Sequence, residues 1–211
     1  QLCLKEGLTV FRDHEFSADQ RSRPVKRIWE VRTLKSLQFP EDQGPLAHPV
    51  RPRRYREINN FYTATVYEKG SEVVRMIRTI LGADDFRKGM KLYIERHDGD
   101  AATIEDFLKA FEDASGRDLS QFSLWYHQAG TPHLAVTTAY HPESAELRVE
   151  IEQSVPPTPS ERSKIVKVST PCCCRRIAMH SPAAPAPRIA TRDPRPPPPP
   201  GRAATCVPTP T

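Results

Sequence analysis

The apolar positions along this chain keep a helical period for most of its length and then switch to strict alternation. Over residues 1–19, Leu4, Leu8, Phe11 and Glu15 mark one helical face, and Leu2, Glu6, Thr9, Val10 and Asp13 mark another. Residues 20–58 are rich in Arg and Pro. They leave room for a helix over 24–36, after which Phe39-Pro40-Glu41-Asp42-Gln43-Gly44-Pro45 predicts a turn, with Pro49 and Pro52 keeping the next part extended. Four helical stripes follow. Val73, Val74, Ile77, Ile80 and Leu81 form the first, stopped by Gly82. Phe86, Met90, Tyr93 and Ile94 form the second. Thr103 caps the third, which carries Ile104, Phe107, Leu108 and Phe111, with Asp106 placed to answer the cap. Leu119, Phe122, Trp125 and Tyr126 form the last, closed near Gly130-Thr131-Pro132. Stripes of this kind read as core rather than as a cofactor box.

After Pro132 the period becomes two. Leu134, Val136, Thr138 and Tyr140 alternate with smaller residues, His141-Pro142-Glu143-Ser144-Ala145 turns the chain, and Leu147, Val149 and Ile151 alternate again. This predicts a β-hairpin and a domain boundary near 131. A hairpin is marginal alone, so further strands are expected, and Ile165 to Val168 offers one. From Pro171 onward there is no Leu and no aromatic residue, and twelve of the 41 residues are proline, five of them consecutive (Pro196 to Pro200). Such a segment buries too little apolar area to offset its chain entropy, so disorder with polyproline II character around 194–200 is expected. Its Pro, Arg, Ala and Gly content also fits an out-of-frame reading of a GC-rich gene. The expected organisation is a mainly α region over 1–131, a partial β-sandwich starting over 132–170, and a Pro/Arg/Ala-rich tail over 171–211.

Charge follows the same division. The formal net charge is +5, and residues 171–211, with six arginines and one acid (Asp193), hold that whole excess. Residues 1–170 are neutral, which removes the electrostatic case for nucleic-acid binding by the folded part. The stretch Arg51-Pro52-Arg53-Arg54-Tyr55-Arg56 reads as an exposed loop, and Glu68 and Lys69 as solvated charges. No apolar run approaches the ~20 residues needed to span a bilayer, so no membrane role is expected. Of five cysteines only Cys3 lies before residue 171, and the Cys172-Cys173-Cys174 run lacks the spaced pairs of a zinc finger. A reducing, cytoplasmic setting fits that usage.

The candidate chemistry begins at Glu6 in Leu4-Lys5-Glu6-Gly7-Leu8-Thr9. A carboxylate among apolar helical positions is an oxygen donor suited to zinc, and Gly7 beside it permits close packing. The bland reading is a surface glutamate. Longer stretches add weight to the first reading. "LCLKEGLTVFRDHEFSAD" (1–19 region), "INNFYTATVYEKGSEVVRMIRTILG" (58–82), "FRKGMKLYIERHDG" (86–99), "IEDFLKAFEDASG" (104–116) and "LWYHQAGTP" (124–132) closely resemble segments of the bacterial aminopeptidase N family, gluzincin metallopeptidases, and the resemblance runs almost continuously to about residue 168.

That resemblance implies the C-terminal helical half of a thermolysin-like catalytic domain, a single zinc ion, peptide substrates, and hydrolysis of N-terminal peptide bonds. Carried onto this sequence, it implies that Glu6 completes a His-His-Glu zinc shell and that Tyr67 of Val66-Tyr67-Glu68-Lys69-Gly70 binds the oxyanion of the tetrahedral intermediate. A phenol suits that role because it is a neutral donor at pH 7. The chain departs from the pattern elsewhere. None of its seven histidines (His14, His48, His97, His127, His133, His141, His180) pairs at i, i+4, and neither HExxH nor the amine-holding Gly-x-Met-Glu-Asn motif is present. The expectation is a fragment that keeps one zinc ligand and the oxyanion tyrosine and is inactive alone. Substrate-binding residues and oligomeric state are not readable. The competing expectation is a non-catalytic helical interaction module with a Pro-rich docking arm.

Overall fold

The structure is a computed structural model that describes residues 1–159 and the backbone of Ile177–Ala178. The strand expected at 165–168 and the rest of the Pro-rich segment lie outside the described residues. The architecture is mainly α, followed by an antiparallel hairpin. Helix α1 spans Leu2–Gln20 and α2 Arg23–Thr33. Helical geometry continues from α2 through a π-helical turn, Leu34–Gln38, into α3, Phe39–Gln43. The turn expected at 39–45 is therefore a helix. Pro40 sits at the junction of the π turn and α3, where the hydrogen-bonding step changes from five residues to four.

A second π-helical turn, Thr65–Lys69, leads directly into α4, Gly70–Leu81. Gly82 ends α4 at φ 85°, a conformation open to glycine, and α5 (Ala83–His97) begins immediately. Helix α6, Ile104–Ser115, opens on the expected capping box. The Thr103 side chain accepts from the Asp106 N–H, and the Thr103 N–H donates to Asp106 Oδ2 at 2.9 Å.

The stripe over Leu119–Tyr126 is a partial correction. Only Leu124–His127 is α-helical (α7). The apolar spacing still reports burial, since Leu119, Phe122 and Tyr126 are all inside. A hydrophobic period thus fixes which residues face the core more firmly than it fixes backbone hydrogen bonding.

The core gathers Leu4 and Phe11 of α1, Val73, Val74 and Ile77 of α4, Phe86 of α5, and Phe107 and Phe111 of α6. Phe86 stacks on Phe111 with centroids 5.1 Å apart, and Phe111 meets Phe107 edge-on at 4.9 Å. Two glycines let helices approach where any side chain would intervene. A Cβ on Gly7 would lie 2.9 Å from the Gly70 carbonyl carbon, so α1 and the start of α4 touch backbone to backbone. The Phe111 ring occupies the corresponding space over Gly89.

Helices α1, α2 and α4 are also tied by ions. Arg75 donates to Glu15 and Glu30 at 3.0 Å each and to Glu72 at 3.2 Å, and Arg27 grips Glu72 through two bonds of 2.6 and 2.8 Å. Burial opposes ionisation of Glu72 and Glu15, but their arginine partners outweigh it and hold both carboxyls below the ordinary value.

Strands β1 (His133–His141) and β2 (Glu146–Ser154) pair antiparallel, with Val136 opposite Ile151 and Thr138 opposite Val149. The hairpin falls where the alternation predicts it. Residues Ile177–Ala178 form β3 and pair with Glu146 and Leu147. Strand β1 is exposed along its whole length. Among the described residues no helix is long and apolar enough to cross a membrane.

Two predictions follow from this packing. Gly7→Ala forces α1 and α4 apart and is expected to cost about 1–3 kcal/mol, the usual range for overpacking, read as a lower urea midpoint with an unchanged m-value; an unchanged midpoint counts against the contact. The second concerns acid. A carboxyl whose folded pKa is depressed stabilises above its unfolded pKa, and that contribution is lost as pH falls through the folded value. Thermal stability of the chain is therefore expected to fall below about pH 4.5, and Arg75→Met, which removes the shared partner, is expected to flatten that fall in melts followed by circular dichroism.

Candidate functional site

Glu6 lies in the second turn of α1, on the side that meets α4. It adjoins Gly7, whose backbone meets that of Gly70, and it is only 8% exposed. The reading of Glu6 as a surface charge therefore fails on burial. Among the described residues its ion-pair neighbour is Lys5, with Nζ 3.2 Å from Oε1, and the Lys5 side chain is otherwise in solvent.

Tyr67 sits in the middle of the π turn Thr65–Lys69. The turn is closed by the Gly70 N–H donating to the carbonyl of Thr65, five residues back, rather than by the four-residue step of an α-helix. This wider turn sets the register in which Tyr67 leaves the backbone. Tyr67 is half-buried and packs on the edge of the core beside Tyr62, whose ring centroid is 6.2 Å away. Partial burial, then the charge of Glu6 and a hydrogen bond to it, hold the Tyr67 phenol above its ordinary pKa. The two residues singled out by sequence, 61 positions apart, thus meet side chain to side chain. The phenol is protonated throughout the neutral range and points a donor where the carboxylate lies.

The elements around Tyr67 are less expected. Lys69, read as a solvated charge, is 7% exposed and forms an ion pair with Asp42, itself 1% exposed. Lys69 also donates to the Gly130 carbonyl at 3.2 Å, and Asp42 accepts from the Gly130 N–H at 2.8 Å and from Thr131 Oγ1 at 3.2 Å. At the other end of the turn, Glu41 Oε1 accepts the Thr65 N–H at 2.8 Å, and Gln38 Nε2 donates to Thr65 Oγ1 at 3.3 Å. Asp42 was hidden inside the segment read as a turn. The signal that could have revealed it is the Pro-Glu-Asp order, which matches the first turn of a helix. By contrast, Glu68 is partly buried, and desolvation lifts its carboxyl above the ordinary value. The Arg51–Arg56 stretch is mostly exposed, with Arg51 paired to Glu105.

The donor set has a clear limit. Among the described residues no group of three or more His, Cys, Asp or Glu could hold a metal ion. Tetrahedral zinc sites use three or four protein ligands. The described residues supply one carboxylate and one phenol, and they do not fit a zinc site on their own.

Comparison with known proteins bears on what this pairing belongs to. The peptidase family M1 domain matches residues 1–126. The chain is 58% identical over 164 residues to aminopeptidase N of Escherichia coli, covering 78% of this chain and 19% of that protein. It is 60% identical over 147 residues to aminopeptidase N of Caulobacter vibrioides, covering 70% of this chain and 17% of that protein. A crystal structure of Legionella pneumophila aminopeptidase A in complex with aspartic acid superposes with a TM-score of 0.62 at 28% identity, over 72% of this chain and 17% of that one. The chain spans about a fifth of the length of these curated relatives. With a domain match over more than half its residues, and high identity to two bacterial aminopeptidases, this chain belongs to peptidase family M1.

Proposed function

We propose that this chain is the C-terminal helical part of the catalytic domain of a zinc-dependent aminopeptidase, with residues 132–170 beginning a β-sandwich domain. In this reading Glu6 contributes one oxygen ligand to the metal and Tyr67 stabilises the oxyanion formed when an N-terminal peptide bond is hydrolysed. Membership of peptidase family M1 supports the reaction class. The observation that carries the residue roles is the meeting of Glu6 and Tyr67 across the Gly7–Gly70 contact. Zinc in such an enzyme would supply a Lewis acid and an activated water.

What this chain's own residues do is narrower. Glu6, mostly shielded from water, presents its carboxylate from the second turn of α1. Tyr67, like any phenol, keeps its proton at neutral pH, and burial and the Glu6 charge oppose its loss further. A neutral phenol can donate to an oxyanion without first giving up a proton, and its position is set before substrate arrives. Preorganised donors of this kind are typically worth about 10²–10³ in kcat. A cytoplasmic setting belongs to the same proposal, supported by Cys3 being buried and unpaired.

Two experiments test the reading. Calorimetric titration of the 211-residue chain with zinc is expected to show no tight 1:1 binding, since one carboxylate does not hold the ion; sub-micromolar 1:1 binding refutes the reading that this chain carries only part of the metal shell. In a longer chain containing this sequence, Tyr67→Phe is expected to lower kcat by roughly 10²–10³ with bound zinc unchanged, whereas Glu6→Gln is expected to lose zinc. Full activity in both variants removes both roles.

A further inference from the structure

We infer that the buried Asp42–Lys69 pair is a positioning device that locks the π turn and so fixes where Tyr67 points. The inference rests on the reading of Tyr67 as an oxyanion donor and extends it to residues that do not touch the reacting atoms.

Three observations carry it. First, the pair lies at the end of the turn that holds Tyr67: Lys69 is the last residue of Thr65–Lys69. Second, the pair is anchored to a separate part of the chain. Lys69 donates to the Gly130 carbonyl while Asp42 takes the Gly130 N–H and the Thr131 hydroxyl, so the ammonium and carboxylate clamp one glycine from both sides. Gly130 has a φ of 91°, which keeps that segment in a conformation other residues disfavour. Third, the opposite end of the turn is held by neighbours of Asp42 on the same short helical run, with Glu41 on the Thr65 N–H and Gln38 on its hydroxyl. One run, residues 38–42, therefore grips the turn at both ends.

Stability alone does not account for this arrangement. Burying an ammonium and a carboxylate costs desolvation that their attraction roughly repays, and a well-packed apolar pair would do as well or better. The ionic pair adds direction: it specifies which backbone groups Lys69 and Asp42 meet, and so excludes the neighbouring α-helical register of the turn. π-helical turns are rare and persist where surrounding contacts enforce them. An α-helical register would rotate Tyr67 away from Glu6.

The test uses the full 211-residue chain with isotope-labelled Tyr and Glu, and reads nuclear Overhauser cross-peaks between the Tyr67 ring and the Glu6 side chain. Asp42→Leu with Lys69→Met removes both buried charges together and leaves no uncompensated ion. This double variant is expected to stay folded by circular dichroism and to lose half or more of the Tyr67–Glu6 cross-peak intensity, with backbone shifts at 65–70 moving toward α-helical values. Thr131→Val, which removes a single donor to Asp42, is the milder variant and is expected to weaken the cross-peaks in part. Folded variants with unchanged cross-peaks overturn the positioning role and leave the proposed function standing. Absence of the cross-peaks in the unsubstituted chain overturns the site geometry itself.

Discussion

The arrangement depends on one close approach, that of Gly7 to Gly70. Helices normally keep 8–10 Å between axes because side chains stand between them. Where both facing residues lack a Cβ, the backbones themselves meet, and a Cβ on either glycine would press on the other's main chain. Each glycine is next to, or three residues from, a residue that matters: Glu6 precedes Gly7, and Tyr67 lies one turn before Gly70. The contact lies beside the buried Glu6, and it brings a phenol from a distant part of the sequence against the carboxylate. The ionic lattice of Glu15, Glu30 and Glu72 with Arg27 and Arg75 ties the same two helices, α1 and α4, and adds α2 to them.

Much of this was readable beforehand because the relevant physics is local. The Thr103–Asp106 capping box, the Gly82 stop and the β-hairpin all follow from residues within a few positions of each other, and each appears where the sequence places it. What was misread required knowledge of distant partners. Pro40 looked like a helix breaker, but it falls where a π turn passes into α3 and the helical run carries on through it. Lys69 looked solvated because lysine usually is; its burial depends on Asp42, which is 27 positions away, and on Gly130, which is 61 away. Leu119, Phe122 and Tyr126 satisfied a helical period and are buried, yet most of the backbone from 119 to 126 turns rather than spirals.

The site residues divide in the same way. Glu6 and Tyr67 were named through resemblance of long segments, and nothing in their spacing requires that they meet. Their contact is a property of the fold. The π turn that sets the Tyr67 direction left no periodic trace, because one extra residue in a helical turn only shifts the stripe by part of a step. The residues that hold that turn, Gln38, Glu41, Asp42 and Lys69, are polar and sit where single-sequence reading assigns loops and surfaces.

The central claim is that the Gly7–Gly70 crossing presents the Glu6 carboxylate to a metal, with the Tyr67 phenol beside it. Anomalous diffraction at the zinc edge, from crystals of a longer chain that contains this sequence, tests it most directly. The account predicts a single zinc peak about 2.0–2.2 Å from a Glu6 oxygen, with the Tyr67 hydroxyl beside that carboxylate. A zinc peak more than ~6 Å from Glu6, well outside coordination distance, with that carboxylate instead neutralised by a lysine or arginine, would contradict it.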